Sequence, residues 1–418
     1  MNKYTPLILA SGIWFIAKFL RYAFPPLFET LQISYSLSST TMGLIYSCLL
    51  TVYALLQFPS GLLADRFGSV ILIVTGSGLA AVGALLLSVD LPFIFLIISV
   101  VMIGIGTGVH KTVAVEILSK IYSNNTGRKL GIFDTFGSYG GFGASLAVTI
   151  FLILPQPLEQ FMIYFPGESW RGVFFSSGVI ALGLAALFAW LVPKYRMNTQ
   201  QNDSNVSYPS ASEYLIQFTH TRFSVFAIII LLFSFSYNGV LAFLPLFLSQ
   251  EAGVSTTSAS FLYSIVFVVS VVQILTGDIS DRVGRLPVIF FTLSLAGTAL
   301  LAIVILIDSG TFVIGGIIIL FALGCHGFRP VRGLYIIELL PDHIASGGFG
   351  TIRTILMGAG AVAPIVTGYI ADSTSFRFAF SILALSMIGA AFLSVGMFIR
   401  QSYNIDWKKD VGTKNNNK

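Results

Sequence analysis

The chain has 418 residues, of which 55% are hydrophobic and only 10% charged, and its mean hydropathy is +0.87. No soluble domain of that length carries so apolar a surface, so a water-soluble enzyme or binding module is excluded and an integral membrane protein is expected. The formal charge of +5 calls for no nucleic-acid partner, because attraction of basic residues to the inner leaflet of a bilayer accounts for it.

Twelve apolar runs follow one another, each close to the roughly 20 helical residues that cross a hydrocarbon core. Helices are the expected form, since lipid offers the backbone no partner and the alternation of a β-barrel is absent. The first run, 6–29, is too long for a cleavable leader and lacks a small-residue cleavage site, so it reads as a span. It carries Lys18, Arg21 and Tyr22 and ends on Pro25 and Pro26, which are expected to bend its far end. The second, 41–62, contains Gln57 and runs into the phrase Gly61-Leu-Leu-Ala-Asp65-Arg66-Phe-Gly68. Runs 70–89 and 93–118 follow, the latter holding Gly104-Ile-Gly106-Thr-Gly108, His110 and Lys111. Run 130–154 holds Asp134, and 172–192 closes the first half.

A polar stretch from Pro193 to Thr221, with Gln200-Gln-Asn-Asp-Ser-Asn-Val-Ser inside it, cannot bury a core and reads as a linker. The second half opens with 222–249, which holds Tyr237, Asn238 and Pro245. Run 258–277 contains Gln273 and leads into Gly277-Asp-Ile-Ser-Asp281-Arg282-Val-Gly284-Arg285, so the earlier phrase recurs at a matched position. Then come 287–307, 311–338 with His326, Arg329 and Arg332, 349–371 with Arg353, and 377–400 before a lysine-rich tail. The expected organisation is a six-helix bundle over 1–192, a linker over 193–221, a second six-helix bundle over 222–400 and a tail over 401–418.

Basic residues set the orientation. With the N-terminus inside, inner segments hold Lys3, Arg66, Lys120, Arg128, Lys129, Lys194, Arg196, Arg222, Arg282, Arg285 and Arg400, while outer loops hold only Arg171 and Arg377. A multi-pass protein of the cell membrane with both ends cytoplasmic is therefore expected. Cys48 and Cys325 both fall inside spans and read as packing residues rather than a disulfide. Neither a metal or haem signature nor a Gly-x-x-x-x-Gly-Lys-Ser/Thr loop is present, so no cofactor is expected and energy must come from a gradient.

The repeated Gly-x-x-x-Asp-Arg-x-Gly phrase, the twelve spans and the central linker make the chain resemble a major facilitator superfamily transporter over nearly its whole length. That resemblance implies an all-α fold of twelve transmembrane helices in two pseudo-symmetric bundles that rock about a central cavity, lined by helices 1, 4, 7 and 10. Two features of the family's drug/proton antiporters are missing. Helix 4 has no Arg-x-x-Gln-Gly phrase, and the helix 5 stretch Gly137-Ser-Tyr-Gly140-Gly141-Phe-Gly143 has no proline.

Six cations, Lys18, Arg21, Lys111, Arg329, Arg332 and Arg353, lie within spans. At about 2.5 to 3.5 kcal/mol each, lipid exposure of all six would cost on the order of 15 to 20 kcal/mol, so they must face protein or water. Five of the six lie on helices 1, 4 and 10, which the resemblance assigns to the cavity. Lys18 with Arg21, and Arg329 with Arg332, are spaced three apart and so share a helical face. Arg21, Lys111 and Arg329 are expected to hold an anion, with Tyr22, Tyr237 and Asn238 fixing the rest of a small solute. Lys18 reads equally as a packing or snorkelling residue, and Arg332 as the partner of Glu116 or Glu338. His110 and His326 are the candidates for proton coupling, with satisfied packing histidines as the alternative.

Asp134 and Arg353 fall at equivalent places in the two halves, close to the cytoplasmic ends of their helices. With the Asp65-Arg66 and Asp281-Arg282 phrases they suggest a cytoplasmic gate, Arg353 reaching Asp65 and Asp134 reaching Arg282 or Arg285. The function expected is secondary transport of a small organic or inorganic anion by a protein complete as a monomer. Export of amphipathic or drug-like solutes is the alternative, followed by a transporter-like solute sensor. A membrane enzyme would want a catalytic pair or metal cluster at cavity depth, and only dispersed histidines and Asp134 are on offer.

Overall fold

The computed structural model describes residues 4–57, 59–122, 126–153, 168–192, 216–341 and 345–402, without the side chains of 126–128, 345–355 and 402. Most of the expected linker and the tail lie outside these residues. The regular elements described are all helical. Ten helices are long and apolar enough to cross a membrane, or eleven if one bent pair is counted as a single span. A further 29-residue helix, Ala345–Ser373, occupies the place of the eleventh apolar run.

The runs are broken where the sequence breaks them. α1 (Thr5–Tyr22) passes through a 3-10 turn at Pro25–Leu27 into α2 (Phe28–Tyr35). The second run divides into α3 (Ser39–Leu55) and α4 (Pro59–Phe67), bent by 53°. α5 (Ser69–Leu87) is continuous, α6 (Phe93–Gly108) and α7 (His110–Ile121) form one span, and α8 (Thr126–Leu152) and α9 (Arg171–Leu191) complete the first half. The second half comprises α10 (Thr221–Glu251), the pair α11 (Thr256–Val268) and α12 (Val272–Val283), α13 (Arg285–Ile305), α14 (Thr311–Leu339), α15 (Ala345–Ser373) and α16 (Phe376–Ser402).

The duplication is written into local structure. Each copy of the glycine phrase is helical up to its last glycine, where φ turns positive, +91° at Gly68 and +92° at Gly284. Only glycine enters that region without strain, so both copies reverse into the next helix at the same point. Serine caps begin the matched helices α3 and α11: Ser38 Oγ accepts from the Thr41 amide at 3.2 Å and Ser255 Oγ from the Ser258 amide at 3.3 Å.

Two arginines at the starts of α9 and α16 also correspond. Arg171, at the start of α9, donates to Asp90 at 2.6 Å and to the carbonyls of Val89 at 2.7 Å and Leu87 at 3.2 Å. Arg377, at the start of α16, pairs with Asp308 at 3.1 Å and Glu251 at 2.9 Å. Arg171 is only 4% exposed. Replacing it with methionine strands those carbonyls, and is expected to destabilise the protein by about 2 kcal/mol in detergent melting, whereas Arg377→Met at an exposed site should shift the melting temperature far less.

Packing between the halves is concentrated on the face opposite the chain ends, where α3 meets α15 and α8 meets α11. A Cβ on Gly43 would sit 2.3 Å from the Pro364 carbonyl oxygen, and one on Gly368 would sit 2.3 Å from that of Ser39, so both glycines permit backbone contact. The Ile365 amide donates to Ser47 Oγ at 3.0 Å. Asp372, past the apolar part of α15, caps the first turn of α3 by accepting from the amides of Ser39 at 3.1 Å and Thr40 at 2.7 Å. Thr256 donates to Glu29 at 2.7 Å, and Ser260 to the Ser145 carbonyl at 3.1 Å. Polar bonds and close backbone contact therefore seal this face, while toward the chain ends α8 and α12 stand apart around a cavity.

Candidate functional site

Two connected cavities lie between the halves. The central one, of about 90 Å³, is lined from α1, α3, α7, α10, α14 and α15. Lys18, Arg21, Lys111, Arg329 and Arg332 all line it, with the aromatic rings of Trp14, Tyr22, Tyr53, Phe233 and Tyr237. The second, of about 230 Å³, shares Lys18, Lys111 and Arg329 with the first and continues toward the chain-end face past Asp134, Ser138 and Gln273.

Trp14 organises the first group of cations. One helical turn separates it from Lys18 and two from Arg21, so all three share a face of α1, and α7 brings Lys111 alongside. Lys18 Nζ, the Arg21 guanidinium and Lys111 Nζ lie 5.3, 5.4 and 5.6 Å from the indole ring. Arg21 also stacks on Tyr53 at 3.9 Å and donates from Nε to the Ala17 carbonyl at 3.2 Å. Each aromatic face offers negative potential to a cation that has left water. Trp14 and Tyr53 were missed from sequence, although the i, i+4, i+7 spacing of Trp14, Lys18 and Arg21 carried the signal.

The second group comes from α14. Arg329 lies 5.8 Å from the Tyr237 ring, and Arg332 lies 5.7 Å from Phe233 and 5.8 Å from Phe328. The expected pairing of Arg332 with Glu116 or Glu338 is replaced by this position on the cavity wall, because Glu116 is held by Lys120 and Glu338 by Arg285. Pro330 lies inside α14 between the two arginines. The Tyr237 ring stacks on Phe233 at 5.5 Å, and its buried hydroxyl finds no hydrogen-bond partner among the described residues. Asn238 Nδ2 donates to the Ser234 carbonyl at 2.9 Å, and both residues line the cavity. Tyr22 reaches the wall with its ring 4.8 Å from Phe267.

The histidines stand behind the cations. His110 is 1% exposed, with its ring 6.0 Å from those of Trp14 and Phe133 and Nε2 3.1 Å from the Ala10 carbonyl, and it does not line the central cavity. His326 is fully buried, with Nδ1 3.4 Å from both Arg329 Nη1 and Gln273 Nε2. Both neighbours are donors, so Nδ1 accepts and the ring proton sits on Nε2. His326 thereby orients Arg329 as a neutral base.

Asp134 pairs with Lys111 at 2.8 Å rather than reaching Arg282 or Arg285. Arg285 instead takes Asp281 and Glu338, at 2.5 and 2.9 Å. The physical reason is the separation of α8 from α12, which leaves a cavity between them on the chain-end face. Asp65 and Arg282 are exposed, and Arg66 lies over Phe67 at 5.4 Å. The side chain of Arg353 lies outside the described residues. Among the described lining residues of both cavities, Asp134 is the one acid facing five cations.

The sequence matches the Major Facilitator Superfamily over residues 10–328 and again over 273–416. The "Fosmidomycin resistance protein" of Escherichia coli (strain K12) is 24% identical, covering 87% of this chain and 86% of that protein. The "Hexuronate transporter" of Bacillus subtilis (strain 168) is 26% identical, covering 88% of each. In overall fold the chain resembles a bacterial homologue of the human lysosomal transporter Spinster in an inward-facing, unoccupied conformation, with a TM-score of 0.77, 16% identity and 99% of both chains covered. It also resembles the nucleoside transporter NupG, with a TM-score of 0.73, 16% identity and coverage of 95% of this chain and 99% of that one.

Proposed function

The chain belongs to the Major Facilitator Superfamily, and from that membership we propose that it is a secondary active transporter that carries a small organic or inorganic anion through the central cavity by alternating access. The observation that supports the anion is the meeting of Lys18, Arg21 and Lys111 from the first half with Arg329 and Arg332 from the second in one cavity. Collected cations lower the cost of bringing an anion out of water, and an anion held from both sides draws the halves together. One relative is named for hexuronate, the anion of a sugar acid.

The proposal includes twelve spans in two six-helix bundles, both chain ends cytoplasmic, and a working monomer. The sealed face is then the outer one, and the cavity opens inward past Asp134. On closing inward, Asp134 would exchange Lys111 for Arg282 or Arg285 while Arg353 approaches Asp65. Proton coupling through His326 would require its Nδ1 to give up the contact with Arg329. Protonation there would place two cations side by side and weaken the grip on the anion.

Export of a drug-like solute is the second reading, supported by the aromatic walls and by a relative named for fosmidomycin resistance. A melting panel of carboxylates, phosphorylated solutes, inorganic anions and lipophilic cations separates the two. A ligand at about 100 times its Kd adds roughly 2.7 kcal/mol to the folded state. Stabilisation by anions is expected, and stabilisation by lipophilic cations alone would transfer support to export.

A further inference from the structure

We infer that the solute is a small dianion, a dicarboxylate or a phosphomonoester, rather than a monoanion. This inference rests on the anion proposal and narrows it. Lys111 is already answered by Asp134 at 2.8 Å, so that pair brings no net charge to a solute. Even with Lys18 and Arg332 set aside, a guanidinium remains on each wall, Arg21 from one half and Arg329 from the other. The groups that hold these two are neutral: the Ala17 carbonyl and Tyr53 ring for Arg21, His326 and the Tyr237 ring for Arg329. Guanidinium does not lose its proton in proteins, so both charges are permanent. A monoanion would balance only one of them. Arg21 is only 6% exposed.

The remaining features of the wall suit a solute with an anionic group at each end. Because Arg21 and Arg329 are both held from behind, the planar donors of each are left to grip a carboxylate or phosphate in two places. The Tyr237 hydroxyl, buried on the wall and unpartnered among the described residues, supplies a further donor beside Arg329. Lys18 lines the same cavity beside Arg21, Lys111 and Arg329. A second negative charge on the solute therefore strengthens binding more than its own desolvation weakens it.

The test uses the full chain in detergent and pairs of probes that differ in charge but hardly in shape: succinate against its monomethyl ester, and ethyl phosphate against ethyl sulfate. At about pH 7.5 the dianion of at least one pair is expected to bind about 100-fold more tightly than its monoanionic partner, from one additional close charge contact at intermediate dielectric. The pair that responds identifies carboxylate or phosphate. Lowering the pH to about 5 protonates a phosphomonoester, whose second pKa is about 6, and should weaken ethyl phosphate roughly 10-fold while leaving ethyl sulfate unchanged. Arg329→Gln should reduce affinity for the dianion of the responding pair more than affinity for the monoanion, so the ratio falls. Equal affinity within both pairs would overturn the dianion and leave anion transport standing. Stabilisation by organic cations with binding of none of the four probes would overturn both.

Discussion

Transport of the anion is expected to fall at least about 100-fold in Arg21→Gln and, separately, in Arg329→Gln, while melting temperature stays within a few degrees of wild type. The two arginines sit on opposite walls, so under the anion proposal each would supply half of the grip on the solute. Removing one takes away charge-assisted hydrogen bonds of about 1.5 to 3 kcal/mol and leaves a buried anion under-neutralised; together these exceed the roughly 2.7 kcal/mol that corresponds to 100-fold. Folding should tolerate the change. Arg21 donates to a carbonyl of its own helix, and its removal relieves repulsion from Lys18. Radioactive uptake into proteoliposomes, with melting curves on the same preparations, checks both halves of the prediction. Normal uptake by either variant would remove that residue from the solute site.

Gly43→Val should abolish transport by a different route. Its Cβ would lie 2.3 Å from the oxygen and 2.8 Å from the carbon of the Pro364 carbonyl, both backbone atoms in a proline-containing helix that cannot swing aside as a side chain does. Overpacking of this kind costs about 1 to 3 kcal/mol, enough to move a balanced two-state equilibrium roughly 5- to 150-fold toward the state in which α3 and α15 part. Solute binding from the opened face should persist while turnover is lost. Spin labels at Ile33→Cys and Thr374→Cys, on the sealed face and in opposite halves, should show a longer distance in Gly43→Val than in the parent. An unchanged distance together with unchanged transport would mean that the glycine contact does not govern closure.

Much of this site was legible in the sequence. Cations cannot face lipid, so Lys18, Arg21, Lys111, Arg329 and Arg332 had to point inward, and five residues on three helices could meet only between them. Periodicity places residues on a face, and that was enough for Arg21 with Lys18. It does not fix how a helix is rotated against a helix distant in sequence, which is why Lys18 and Arg332 were left open and Tyr53 was missed. The fate of Asp134 was hidden for a related reason. Depth along α8 put it near the chain-end face, but whether Lys111 or an arginine of the other half is nearer depends on which face of the transporter is closed. The glycine phrases were legible as a repeat, whereas the matched positive φ of Gly68 and Gly284, and the matched Arg171 and Arg377 clamps, emerge only from the backbone and its neighbours.

Calorimetric titration of the best-stabilising anion into wild type, Arg21→Gln and Arg329→Gln is the experiment on which the shared anion site depends. One site per chain is expected in the wild type, with affinity lost in both variants, because the solute is held from both halves at once. Undiminished binding in both variants would contradict it and place the anion outside the central cavity.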